Sequence, residues 1–197
     1  MSNALPWLKR IARSRAFAPL VITLTVALLG GVIVFARQQV RHTLRAQLAG
    51  RDGEILHAVT QMQQIPYDPD TEPPSDLTDT AEQLNLILKT SRLKGVMAVR
   101  LFTPEGEFAN AIPANVTEAR LDSETLTQLR ALKPVSRFHE AAPLDEIFLL
   151  LEPPASPAPP VLEVNLPLHV DGSCVLAGCA QFIIEGESLA AEYAALD

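Results

Sequence analysis

The chain has 197 residues, sixteen Lys and Arg against twenty-three Asp and Glu, and two cysteines. Its charge is split. The first 36 residues hold Lys9, Arg10, Arg13 and Arg15 and no acid, whereas beyond Arg137 there are ten acids and no Lys or Arg. Such a tail repels phosphate and excludes nucleic acid as a partner. Two cysteines exclude a disulfide framework.

The first element is Phe17–Ala36, "FAPLVITLTVALLGGVIVFA", twenty residues without a charge. At about 1.5 Å per residue it reaches about 30 Å, the thickness of a bilayer core, so a membrane-spanning helix in contact with lipid is predicted. A cleaved signal peptide is the rival reading, with Val34-x-Ala36 as its cleavage site. The apolar run is longer than the usual signal core. Both readings export the rest of the chain. Arg37, Arg41, Arg45 and Arg51 follow the span, so basic residues alone do not fix its direction. An acid-free N-terminal stretch of sixteen residues and a long acidic C-terminal part favour the N-terminus inside. That makes a single-pass protein of a bacterial inner membrane, divided into a basic tail (1–16), the span (17–36), a stalk helix (37–65) and an extracytoplasmic domain (66–197).

Along the stalk, Val40, Leu44 and Leu48 recur every four residues, followed by Ile55, Val59 and Met62. This narrow stripe suits either a homodimer through the stalk or packing on the chain's own domain. Gly50 and Gly53 are positions for a kink or a stop. His42 and His57 are expected in solvent.

A proline-rich loop (Pro66, Pro69, Pro73, Pro74) precedes a helix over Leu77–Leu93. Leu77, Ala81, Leu84 and Leu88 line one of its faces, and Asp79 with Glu82 caps it. "GVMAVRLF" and Phe108–Ile112 then form a hairpin, with Pro104-Glu105-Gly106 as turn chemistry. A short helix over 123–132 follows, N-capped by Asp122 and stopped by Pro134. Two further β runs are predicted at Val135–His139 and Glu146–Glu152. "PPASPAPP" at Pro153–Pro160 is a semi-rigid spacer. Val161–Val170 alternates as a half-buried strand, with Glu163, Asn165 and His169 on its outer side and Pro167 marking an edge or bulge. Val175–Ile184 is apolar on both faces and reads as a central strand. Ser188–Leu196 is a final helix. The sum is an α+β fold: an antiparallel sheet of five or six strands flanked by helices.

"VRLFTPEGEF", "EVNLPLHVDG" and "GCAQFIIEGESLAAEY", placed after one span and a long helix, resemble the extracytoplasmic PAS-like (Cache-type) sensor region of bacterial membrane sensor kinases. The resemblance runs from Ala16 to Asp197. It implies a five-stranded antiparallel sheet cradled by helices, a small-ligand pocket on one sheet face, and signalling by helix shifts of about 1–2 Å. Those proteins carry a second span and cytoplasmic output domains. Here there is no kinase His box or nucleotide-binding motif, so the chain is either the front end of a split or truncated sensor or works through a separate kinase or output protein.

No G-x-S-x-G, Walker A, G-x-G-x-x-G or H-E-x-x-H motif occurs, so neither enzyme chemistry nor a cofactor is expected. His169, Cys174 and Cys179 are evenly spaced, but on a hairpin they do not converge as a tetrahedral metal site. Cys174 and Cys179 bridge only if their stretch is a loop; otherwise both are small buried side chains. The candidate binding residues are Arg100, Arg137 and His139, since a sheet face that holds a small anionic ligand needs donors, and Arg offers a two-pronged fork. The plainer alternative is that all three balance surface acids. A second functional class also stands: a single-span scaffold of a pilus or secretion assembly, marked by "NALPW" before the basic stretch. A helix between parallel strands favours the scaffold, and an antiparallel meander favours the sensor.

Overall fold

A computed structural model describes residues 17–64, 79–93, 95–150, 158–169 and 174–195. The chain divides into two compact units, Met1–Arg45 and Ala46–Asp197.

In the first unit, α1 (Phe17–Gln64 in full) is long and apolar enough to cross a membrane. Every side chain from 19 to 40 is exposed within the structure. The two hydroxyls in this run stay inside the helix: Thr23 donates to the Pro19 carbonyl at 2.9 Å and Thr25 to that of Val21 at 2.8 Å. That satisfies them without water, as a bilayer demands.

The second unit is an open five-stranded sheet in the order β2-β1-β5-β4-β3. The strands are β1 (Val96–Phe102), β2 (Phe108–Ile112), β3 (Val135–His139), β4 (Val161–Leu168) and β5 (Gly178–Glu185). All four pairings are antiparallel. The helices are α2 (Thr80–Ser91), α3 (Ser123–Arg130), α4 (Leu144–Ile147) and α5 (Glu187–Ala195), beside the last turns of α1. Asp79 caps α2 by accepting from the Ala81 N–H, and Asp122 caps α3 by accepting from that of Thr125.

Because strand side chains alternate, the sheet has two distinct faces. On the inner face, Val99, Leu101, Leu162, Val164, Leu166, Leu168, Ala180 and Phe182 form one core with Ala49 and Leu56 of α1, Leu86 and Ile87 of α2, and Leu189 and Tyr193 of α5. Tyr193 meets Phe138 edge-on at 4.7 Å. The outer face carries two smaller clusters. Phe102 and Cys179 lie under Leu121 and Leu129. Ala98, Val161 and Ile183 lie under Val116, Ala142 and Ile147.

Several expectations change. Gly50 and Gly53 do not interrupt α1. Gly53 is buried, and a Cβ there would collide with Ser136 Oγ and touch Val164 at 3.5 Å. The last turns of α1 therefore lie against β3 and β4. They bury Ala49, Gly53, Leu56 and Thr60, while Ile55 and Met62 face out. The α2 face is also turned: Gln83, Leu86, Ile87 and Thr90 are buried, whereas Ala81 and Leu88 are exposed. Leu77 and the spacer from Pro153 to Pro157 lie outside the described residues. Glu146–Leu150 does not form a strand: α4 ends at Ile147, and Phe148 makes a single bridge to Val116. β4 is interior and buried on both sides, including Asn165. Pro167 lies where β4 is locally an edge, and not in a bulge. It pairs with Cys179, beyond the last β3 partner at Asn165, where one flank of β4 is unpaired and tolerates a missing N–H.

Candidate functional site

The outer face holds a row of polar side chains between its two apolar clusters. Arg100 of β1 stands opposite Gln181 of β5, and Gln181 opposite Asn165 of β4. Opposed residues of antiparallel strands project on the same side, so the register alone aligns the three. Their hydrogen bonds run continuously. Arg100 Nη1 donates to Gln181 Oε1 at 2.9 Å, Gln181 Nε2 to Asn165 Oδ1 at 3.1 Å, and Asn165 Nδ2 to Glu163 Oε1 at 2.8 Å. Glu163 is two residues along β4 from Asn165 and so shares its face. Its other oxygen, Oε2, lies 3.5 Å from His139 Nε2. Arg100, Gln181 and Asn165 are all buried.

Arg100 also ties the sheet to the segments above it. Its Nε donates to the Thr117 carbonyl at 3.0 Å and Nη2 to the Thr117 hydroxyl at 2.8 Å. Nη2 makes longer contacts, 3.5 Å each, with the carbonyls of Glu146 and Ile147. Burial lowers the guanidinium pKa, and the Glu163 carboxylate acts in the opposite direction. Burying a charge costs less where its donors are hydrogen-bonded, and this one is bonded to Thr117 and Gln181.

Beside the row lies a cavity of about 190 Å³, walled by Ala142, Ile147, Val161 and Ile183 and edged by Arg100, Glu146, Glu163 and His139. Two of the three expected residues, Arg100 and His139, thus reach one cavity. Arg137 does not line it. Its Nη1 donates to Asp122 Oδ2 at 2.8 Å, at the N-cap of α3. Arg137 and the Thr125 N–H and hydroxyl hold the Asp122 carboxyl far below the usual carboxylate range, and Asp122 in turn raises the pKa of Arg137.

Gln181 and Asn165 were not anticipated. The available signal was a lone amide in each of two otherwise apolar strand segments, "GCAQFIIE" and "VLEVNLPL". Other residues also depart from expectation. His57 is half-buried, with its pKa lowered by burial and by His169. The Gln61 amide nitrogen lies between the two rings, 2.9 Å from His169 Nε2 and 3.5 Å from His57 Nε2. Both cysteines are free, and only Cys179 is buried. Burial pushes the Cys179 thiol up to about 12, whereas Cys174 is exposed.

No protein-family model matches this chain, and no curated protein matches it. Among solved structures, the chain is similar to the ligand-binding domain of a Pseudomonas aeruginosa PAO1 amino acid chemoreceptor in complex with GABA. The identity is 17% and the TM-score 0.41, and the match spans 85% of this chain and 65% of that one.

Proposed function

We propose that this chain is the sensor module of a signalling system. In this reading it is a single-span protein of the bacterial inner membrane with its N-terminus inside, and its extracytoplasmic domain binds a small ligand without transforming it. The observation that carries the proposal is the buried row Arg100–Gln181–Asn165–Glu163 beside a cavity. A sheet face needs no such row to be stable, since well-packed apolar residues hold a core as well as a buried ion pair or better. A few convergent polar groups on an otherwise apolar pocket are the usual form of a small-molecule site. The resemblance to Cache-type sensor regions supports the same reading. So does the all-antiparallel sheet, in which, among the described residues, no helix joins parallel strands.

Arg100 and His139 are the proposed ligand-side residues, and Arg137 contributes by holding α3 through Asp122. Output passes to a separate kinase or other partner protein, and a homodimer forms through the exposed Val40 and Leu44 of α1. β4 is the proposed link between ligand and helix. Glu163 and Asn165 face the cavity, and Val164, between them in sequence, faces Gly53 of α1.

The test is a thermal-shift screen of the full chain in lipid nanodiscs against small metabolites. A ligand at 100 times its Kd adds about 2.7 kcal/mol of stability. Silence across the whole panel overturns the sensor reading. For topology, a membrane-impermeant maleimide should label the exposed Cys174 in intact spheroplasts. Labelling only after lysis overturns the extracytoplasmic placement.

A further inference from the structure

The cavity wall is rich in acceptors and poor in free donors. Arg100 spends its Nε–Nη2 fork on Thr117 and one Nη1 hydrogen on Gln181, which leaves it one further Nη1 hydrogen and no two-pronged face. The side-chain amides of Gln181 and Asn165 donate along the row. Part of the rim backbone is bonded elsewhere. The Ala142 N–H goes to the Pro159 carbonyl and the Glu146 N–H to that of Pro143, while Pro143 has none. The imidazole nitrogen at the rim, His139 Nε2, faces the Glu163 carboxylate. Against this, a carboxylate offers about four lone-pair sites. Glu163 uses one for Asn165 at 2.8 Å and makes only a 3.5 Å contact with His139. Glu146 adds a second carboxylate at the mouth. The rest of the wall, Ala142, Ile147, Val161 and Ile183, is apolar.

Resting on the sensor reading, we infer that the ligand is a small aliphatic primary amine, bound as its ammonium at Glu163 with its alkyl part against Val161 and Ile183. An ammonium brings three donors and no acceptor, the complement of this wall. A carboxylate ligand would find no two-pronged face left on Arg100, and it would sit beside two carboxylates of like charge. The earlier expectation of an anion rested on Arg100 having a free fork, which the Thr117 and Gln181 bonds remove.

The experiment is calorimetric titration of the full chain in nanodiscs with propylamine and putrescine, and separately with propionate and succinate. The expected result is saturable binding of an amine and none of the acids. Glu163→Gln keeps an acceptor for Asn165 and removes the charge, so it should weaken amine binding at least tenfold. Glu146→Gln, at the exposed mouth, should weaken it by less. Circular dichroism of each unliganded variant checks that it is folded. If Glu163→Gln does not fold, loss of affinity in Glu146→Gln together with the amine-over-acid preference of the parent chain decides the matter. No amine binding, or amine binding that is indifferent to both substitutions, overturns this ligand class whatever else binds. Binding of an acid alone overturns it and leaves the sensor reading standing. The sensor reading itself fails only if the wider metabolite screen is silent.

Discussion

The two faces of the sheet are built from the same strands and do different things. The inner face is a continuous apolar surface covered by α1, α2 and α5. The outer face is divided by Arg100, Gln181 and Asn165 into two small clusters under α3 and α4. Alternation along a strand is what permits this, because residues adjacent in sequence serve opposite faces. Phe182 sits in the inner core while its neighbour Gln181 joins the outer row. Cohesion and the proposed recognition can therefore be altered separately.

Phe182→Ala should have the largest effect. The ring is fully buried, and loss of a core Phe costs about 3–5 kcal/mol. Equilibrium denaturation should show that loss, while the molecules that remain folded keep their ligand affinity. Arg100→Met should break the comparison from the other side. It leaves Gln181 and Thr117 with unpaired acceptors at about 1–3 kcal/mol each, offset by removal of a buried charge. The expected net is about 2 kcal/mol, with loss of the ligand-induced thermal shift. Phe182→Ala abolishing binding in the folded fraction, or Arg100→Met leaving it intact, would erase the division of labour.

Two smaller effects depend on pH. Asp122→Ala removes a helix N-cap, a loss of about 1 kcal/mol. Because Arg137 and Thr125 depress the folded-state pKa of Asp122, its contribution is present above the unfolded value of about 3.9. It is lost as pH falls below that value and through the folded pKa. The Tm gap between parent and variant should therefore narrow on acidification below about pH 4. His57 belongs to the inner side of the domain, and its folded-state pKa is lowered by burial and by His169. A depressed histidine stabilises above its unfolded value of about 6.5 and ceases to as pH falls through the folded one. The parent Tm should fall modestly below about pH 6.5, and His57→Gln should flatten that slope.

The strands were legible because alternation and turn chemistry are local signals. β1, β2 and β3 lie where "VMAVRLF", "FANAI" and "VSRFH" suggest. The faces of α1 and α2 were not legible, because three of their buried positions are polar. Thr60 and Thr90 each donate to the carbonyl four residues back, and Gln83 reaches the Ala177 carbonyl at 3.1 Å. A pattern that counts only apolar residues rotates the helix by one position. The site was half legible. Arg100 stood out as a charge inside an apolar strand, but its partners Gln181 and Asn165 are set by strand register, which no local window contains. Arg137 misled for a similar reason: Asp122, fifteen residues upstream, occupies it.

The missing side chain at Gly53 constrains how the helix moves. The α1 backbone meets Ser136 and Val164 there with no room for a methyl group. Turning the helix by one residue, about 100°, would aim the carboxylate of Asp52 or Glu54 at Val164. Twisting about the long axis is thus the costly displacement. On the sensor reading proposed above, rocking about this point is the displacement left to a helix seated on a sheet when the chamber on the opposite side fills or empties.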